Sequence, residues 1–306
     1  MKVLIVYNLT SGKGHATKYA KKFVNEFKSL GVKVQTFALG NFDDKFKFFS
    51  SLANRHRKFD CLLILGGDGT IGRVVDCMLK CGLNYPIATF PVGTANDYSW
   101  FLKMPKNVKK VVNCIMNNQP IKSDIACVNG QFVINVVGGG LFTNGYTSYS
   151  LVHKKVFGKL AYWFKAFTES FKVRHQRFSI KIDGKEIRED LCFFAVLNSS
   201  CAGGMTKLGI DAKIDDGFFE FVGFRKCGFF QRMRLYLNVF VGKHKENKNL
   251  IYQRGKQFLI KPIHEKQEGY KHCDIDGDCG PNYPINIKIS KGAIKVFTRN
   301  KKLINL

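Results

Sequence analysis

An apolar run, DCLLIL (60–65), passes directly into Gly66-Gly67-Asp68-Gly69-Thr70, and from there into TIGRVVDCMLKC (70–81), whose apolar residues recur at helical spacing. A buried strand, a glycine turn and a helix in immediate succession predict one unit of a parallel sheet. Three glycines let the backbone approach an anion closely and present its N–H groups, and the following helix adds the partial positive charge of its N-terminus. Thr70 is placed to cap that helix. An aspartate inside an anion-binding loop would repel phosphate on its own, so Asp68 makes sense with a metal ion between the two. A five-residue match fits equally well a Gly-Asp-Gly turn that only reverses the chain.

The flanking segments extend the same grammar. KVLIVY (2–7), VKVQTFAL (32–39) and YPIATFPV (85–92) read as further strands, and 15–30 carries Ala16, Tyr19, Ala20, Phe23, Phe27 and Leu30 on one helical face. Ligands of such sheets bind in the loops after the carboxyl ends of the strands. After about residue 126 the pattern changes. Asn129-Gly130 and Asp183-Gly184 are type I′ hairpin signals, and LCFFAVLN (191–198), GFFEFVGF (217–224), QFLIKPI (257–263) and INIKISKGAIKVFT (285–298) are strand-like. The expected fold is α/β plus all-β: an α/β domain over 1–126 with a mainly parallel sheet, completed by 290–306, and an antiparallel β-sandwich over 127–289. No repeat or low-complexity linker separates the halves. That predicts an extensive interface, with a cleft as the usual place for a ligand.

Composition narrows the function. With 49 basic and 23 acidic residues the chain carries +26, yet 45% of it is apolar and 28 residues are Phe. That excludes intrinsic disorder. No window approaches the ~20 uncharged apolar residues of a membrane span, and the opening segment reads as a strand, not a signal peptide. The ten cysteines are scattered, several inside apolar runs and none in a CxxC pair, which predicts reduced thiols in a cytosol. The charge fits a nucleic-acid binder, a visitor to anionic membrane, an enzyme of phosphorylated ligands or a solvated lysine-rich surface.

Further acidic residues gather at glycine turns. Pro91-Val92-Gly93-Thr94-Ala95-Asn96-Asp97 repeats the strand–glycine–hydroxyl–helix arrangement one strand on, with Asn96 a helix cap when considered alone. Asp124 follows in KSDIAC, and Asp211-Ala-Lys-Ile-Asp215-Asp216-Gly217 suggests a cation-binding turn or an ordinary hairpin. Asp274-Ile-Asp276-Gly277-Asp278 resembles the start of a calcium loop. Cys279 stands where an EF-hand needs glycine and Ile285 where it needs Glu, so that reading fails. Nine of the 15 aspartates lie in these loops. So much acid at glycine turns of a basic chain favours metal–phosphate chemistry.

NLTSGKG near the start, GGDGT after the third strand, PVGTAND after the fourth, then DAKIDDG and DIDGD, in this order, resemble the soluble bacterial diacylglycerol kinases. The wider family is the lipid kinases that include sphingosine and ceramide kinases. GGDGT alone also occurs in NAD kinases and phosphofructokinases, and the PxGTxND segment about 25 residues later is what sharpens the match. The resemblance covers essentially the whole chain. It implies an ATP-binding α/β domain, a β-sandwich, and transfer of the γ-phosphoryl group of ATP to a lipid hydroxyl, giving phosphatidic acid from diacylglycerol. By position, Asn8, Thr10, Ser11, Gly12, Gly66, Gly67, Asp68, Gly69, Thr70, Gly93 and Thr94 would contact ATP. Asp68, Asp97 and Asp124 would hold a catalytic Mg2+ through water. Asp276 falls on the Asp, and Asp278 on the Glu, of the family's DGE, which carries the catalytic base, and Asp276 is the first choice. Lys213, Asp216 and Phe218, with Asp215 adjacent, fall on a second, structural metal site.

The chain departs from that family at several places. Gly72 and Arg73 follow Ile71 where Asn-Glu is usual, Leu9 replaces the Pro of NPxSG, Trp100 replaces an Arg, and Asp278 is one methylene shorter than Glu. A catalytically impaired lipid- or nucleotide-binding relative and an NAD kinase are therefore the competing readings. A nucleic-acid partner has charge alone behind it and no recognition motif. KKVFGKLAYWFKAFTESFKV (154–173) puts Phe157, Leu160, Phe164, Phe167 and Phe171 on one face among lysines, with Tyr162 and Trp163. That pattern suits an anionic membrane surface as well as a core-packed helix. The expectation is a cytoplasmic protein held peripherally on the inner face of the membrane, with a diacylglycerol-like substrate and compatible with a homodimer.

Overall fold

The computed structural model describes residues 1–9, 14–40, 42–140, 175–263, 271–300 and 303. The segment 154–173 with Tyr162 and Trp163, and the nucleotide-loop residues Thr10, Ser11 and Gly12, lie outside them. The chain divides into two compact units, 1–125 with 292–306, and 126–291.

In the first unit the sequence pattern gives alternating strands and helices: β1 (Lys2–Asn8), α1 (His15–Ser29), β2 (Lys33–Leu39), α2 (Phe42–Asn54), β3 (Cys61–Gly66), α3 (Asp68–Lys80), β4 (Ile87–Pro91), α4 (Asp97–Phe101), α5 (Val108–Asn117) and the start of β5 (Ile121–Val128). β2, β1, β3 and β4 pair in parallel in that order. All six residues of β3 are buried, as expected of a strand covered on both faces. α1 turns Ala16, Ala20, Phe23 and Phe27 inward, and Phe23 meets Phe90 of β4 edge to face at 5.0 Å. Each such ring contributes ~1.5–3 kcal/mol by leaving water.

The second unit is antiparallel. It contains β6 (Gln131–Val133), β7 (Val136–Gly140), β8 (Gln176–Ile182), β9 (Lys185–Leu197), β10 (Phe219–Arg225), α6 (Phe229–Val241), β11 (Leu250–Gly255), β12 (Gln257–Pro262), β13 (His272–Ile275), β14 (Asp278–Asn282) and most of β15 (Ile285–Val296). The order runs β14-β13-β7-β9-β8-β12-β15, with β10 joined to β9 and β11. Phe178, Phe194, Phe219, Phe221 and Phe258 fill one core, and α6 closes a second through Leu235 and Val239. Both dipeptide signals form their turns: Asn129 and Gly130 have φ of 47° and 86°, Asp183 and Gly184 of 45° and 90°, the positive pair that type I′ requires. α/β followed by antiparallel β is thus the fold the chain adopts.

On β10, Glu220 is 2% exposed, and burial pushes its carboxyl from 4.5 up to about 7, with Asp211 and Asp216 adding to the rise and Arg254 and Lys245 opposing it. The folded chain therefore binds this proton more tightly than the unfolded one. The associated stability is complete below pH ~4.5 and is lost as pH rises through ~7. Melting temperature measured from pH 4.5 to 8 should fall less steeply in Glu220→Gln than in the parent. An unchanged slope would show that Glu220 ionises normally.

Candidate active site

The first unit brings two of the glycine loops into contact. β3 and β4 are adjacent and parallel, with Gly66 opposite Pro91, so their following loops emerge side by side. A Cβ built on Gly93 would lie 2.5 Å from the Cα of Gly67. A Cβ on Gly67 would lie 3.2 Å from the Cα of Gly93, so the approach needs glycine at 93 and is tight at 67, and it sets two runs of backbone against one another. Gly67, in extended conformation, is the N-cap of α3, and Asp68 is already its first residue. Thr70, expected as the cap, instead lies inside the first turn, buried, and accepts a hydrogen bond from the Asn8 side chain at 3.4 Å. That bond ties the end of β1 to the same edge.

Asn96 occupies the cap position of α4 in left-handed conformation, φ 55°, but its side chain does not cap. Its Oδ1 accepts the Gly93 N–H at 2.8 Å and its Nδ2 donates to the Gly93 carbonyl at 2.7 Å. The amide thereby locks the PVGTAND turn from behind, and Thr94 is left exposed. Asp68 Oδ1 accepts the Tyr98 N–H at 3.0 Å. Burial raises the Asp68 carboxyl, and backbone N–H groups of Tyr98, Asp97 and Asn96 pull it back down. Tyr98, fully buried, reaches Ser123 at 3.3 Å, next to Asp124. Asp124 is 0% exposed and accepts the Gly292 N–H at 2.7 Å; Asp97 is 8% exposed.

Among the described residues no three His, Cys, Asp or Glu side chains cluster closely enough to chelate a metal by themselves. Asp68, Asp97 and Asp124 are hard oxygen donors, two of them nearly dehydrated, and such a set suits Mg2+, which keeps several of its waters. The residues fit that ion held through water. At the second expected metal site they fit less well. Asp216 Oδ1 accepts the Phe218 N–H at 3.0 Å, and its Oδ2 takes Arg254 at 2.5 Å. Arg254 also lies 4.2 Å over the Phe218 ring. A guanidinium already balances this carboxylate, so a cation on Lys213, Asp215, Asp216 and Phe218 would have to displace it. Of the departures noted in the sequence, Gly72 is buried, Arg73 half-buried and Trp100 54% exposed.

In the second unit, Asp276 and Gly277 are the central residues of a hairpin between β13 and β14, with φ of 50° and 85°. This is a third type I′ turn, and Asp-Gly between strand-like residues was its signal. Asp276 is 1% exposed. Its Oδ2 accepts the Ile134 N–H at 3.0 Å, and its Oδ1 accepts those of Asn135 at 3.0 Å and Val136 at 2.8 Å. Sequence reasoning did not find this clamp. Asp278 opens β14, opposite Ile275, and stays partly exposed. Beside it, burial pushes Asp274 up to about 7, with the charge of Asp278 adding to the rise and the Gly277 N–H opposing it. Three backbone N–H groups occupy the Asp276 oxygens, whereas Asp278 keeps part of its surface in solvent.

Comparison with known proteins gives the same pattern of loops a family context. Residues 2–128 match the family model described as diacylglycerol kinase catalytic domain. Residues 148–298 match the YegS C-terminal NAD kinase beta sandwich-like domain. A diacylglycerol kinase of Bacillus subtilis is 28% identical over 281 residues, covering 92% of this chain and 90% of its own. One from Staphylococcus aureus is also 28% identical, over 97% of this chain and 92% of its own. A crystal structure of a diacylglycerol kinase from Bacillus anthracis superposes with a TM-score of 0.78 at 22% identity, covering 98% of this chain and 97% of that one. That last likeness concerns the fold.

Proposed function

We propose that this chain, whose residues 2–128 match the diacylglycerol kinase catalytic domain model, is an ATP- and Mg2+-dependent lipid kinase, converting diacylglycerol to phosphatidic acid. The observation that carries this reading is the backbone contact of Gly67 with Gly93 beside Asp68. The α3 N-terminus that opens at Gly67 offers phosphate oxygens its N–H groups, and with no side chain at Gly67 or Gly93 nothing stands between them and the second loop. Asn8, Thr10, Ser11, Gly12, Gly66, Gly69, Thr70 and Thr94 complete the nucleotide site in this reading. Asp68, Asp97 and Asp124 would hold Mg2+ through water, and the ion, when bound, would neutralise charge developing on the phosphates.

Asp278 accepts the proton of the lipid hydroxyl as its oxygen bonds to the γ-phosphorus. The bond from that phosphorus to the β-phosphate oxygen breaks, and ADP leaves. Asp276 is the positioning residue that holds the turn presenting Asp278. The protein works from the cytoplasm, peripherally on the inner face of the membrane. Among the described residues no helix is long and apolar enough to cross one.

Incubation with γ-labelled ATP and Mg2+, with a lipid extract in one reaction and NAD in a parallel one, should move label into phosphatidic acid in the first. Label in NAD instead would favour the kinase named in the description of the C-terminal family model. No label in either would favour a relative impaired by Gly72, Arg73 and Trp100.

A further inference from the structure

α6 is apolar on two opposite sides. Leu235 and Val239 are buried in the second unit. At ~100° per residue, Phe230, Leu237, Val241 and Phe240 fall within a ~100° arc on the other side. These four are exposed by 85%, 68%, 56% and 70%. Single exposed apolar residues need no explanation, but a contiguous aromatic and aliphatic stripe along three turns of helix does.

Charge identifies what the stripe meets. Residues 221–245 contain Arg225, Lys226, Arg232, Arg234, Lys243 and Lys245 and no Asp or Glu. Arg225 is paired with Glu189 and Lys245 with Asp211. Lys226 precedes the helix, Lys243 follows it and Arg234 lies on the exposed side, all three in solvent. Lys207 folds against the helix C-terminus, donating to the Val241 carbonyl at 3.1 Å. An apolar strip rimmed by cations of one sign is complementary to an anionic bilayer, which takes rings and aliphatic chains below the headgroups and cations among them. A second copy of the chain would bring the same cations face to face in a symmetric contact.

We propose that the Phe230–Leu237–Phe240–Val241 face of α6 inserts shallowly into an anionic lipid surface and docks the second unit there. The proposal deepens the lipid-kinase reading by naming the surface on which that enzyme would meet its substrate. It predicts binding that requires both anionic lipid and the apolar stripe. Binding should weaken as salt rises, since surface attraction is screened over ~8–10 Å at physiological ionic strength.

The test uses the full chain and vesicles of phosphatidylglycerol and phosphatidylcholine, without nucleotide. The triple variant Phe230→Gln, Leu237→Gln, Phe240→Gln keeps good helix formers on the exposed side. Its affinity for these vesicles should fall at least ~tenfold, with an unchanged melting temperature and unchanged turnover of a short-chain diacylglycerol in detergent. Parent-like vesicle binding would overturn the proposal. So would a parent dimer that becomes monomeric in the variant with vesicle binding intact, which would assign the stripe to a second copy. Leu237→Trp provides a separate readout: its added emission should shift to the blue on anionic vesicles and be quenched by brominated acyl chains. Emission unchanged by vesicles would overturn docking whether or not the triple variant folds. Because no arm of the binding test requires phosphoryl transfer, loss of docking and failure of the kinase reading remain distinguishable.

Discussion

Gly93→Ala should lower ATP affinity at least ~tenfold and turnover ~100-fold or more, although it adds a single methyl group. The new Cβ would sit 2.5 Å from the Cα of Gly67, 2.9 Å from Asn96 Oδ1 and 3.1 Å from the Gly67 amide nitrogen. Backbone on both sides cannot swing away as a flexible side chain can. Relief comes by separating the two loops or by breaking the Asn96 lock, and forced backbone shifts of this kind cost ~1–3 kcal/mol. Either route also moves the Asp68 carboxylate, because the Tyr98 N–H that holds it follows directly after Asn96 and Asp97. A displacement of ~1 Å at a reacting centre costs ~100-fold in rate. Gly228→Ala is the control, since its Cβ would meet nothing closer than 4.0 Å. Isothermal titration with Mg·ATP and label transfer on both variants decide the matter. Normal nucleotide affinity in Gly93→Ala would mean that the touching loops do not form the phosphate site.

The sequence made this part of the molecule readable because the information is local. Strand, glycine turn and helix follow one another within 61–80 and again within 87–101, and the I′ dipeptides at 129 and 183 dictate their own φ signs. Other elements were hidden or passed over for identifiable reasons. α2 places Lys45, 7% exposed, on the same inward side as Phe49 and Leu52, so a charged residue interrupts its apolar period. α5 has a plain signal, with Asn107 accepting the Lys110 N–H as its cap and Val111, Val112, Cys114 and Ile115 turned inward, but carries no chemistry to draw attention. In the site, the types of the carboxylates were legible and their partners were not. Asn96 looks like a helix cap in one dimension, and its hold on Gly93 depends on a left-handed backbone. Asp276 lies 140 residues from Val136 in the chain, and only the pairing of β13 with β7 brings them together.

That long-range clamp separates two aspartates that the sequence leaves side by side. Asp278→Asn should keep the melting temperature and ATP binding and lose ~100- to 10,000-fold in lipid phosphorylation, the range expected when a general base is removed. Asp276→Asn should behave in the opposite way. Asparagine tolerates the positive φ of the turn, so the backbone can stay, but one acceptor oxygen becomes an NH2 group. At least one of the N–H groups of Ile134, Asn135 and Val136 then faces a donor in a site 1% exposed to water. An unsatisfied buried donor costs ~1–3 kcal/mol, and each kcal/mol lowers the melting temperature of a domain this size by ~2–4 °C. Activity should fall with stability in Asp276→Asn and recover in part on cooling. In Asp278→Asn it should stay low at every temperature, because the missing proton acceptor is chemical and not conformational. Melting curves, ATP titration and label transfer at two temperatures separate the cases. Near-parental turnover by Asp278→Asn, with a folded and inactive Asp276→Asn, would return the base to Asp276 despite its three backbone donors.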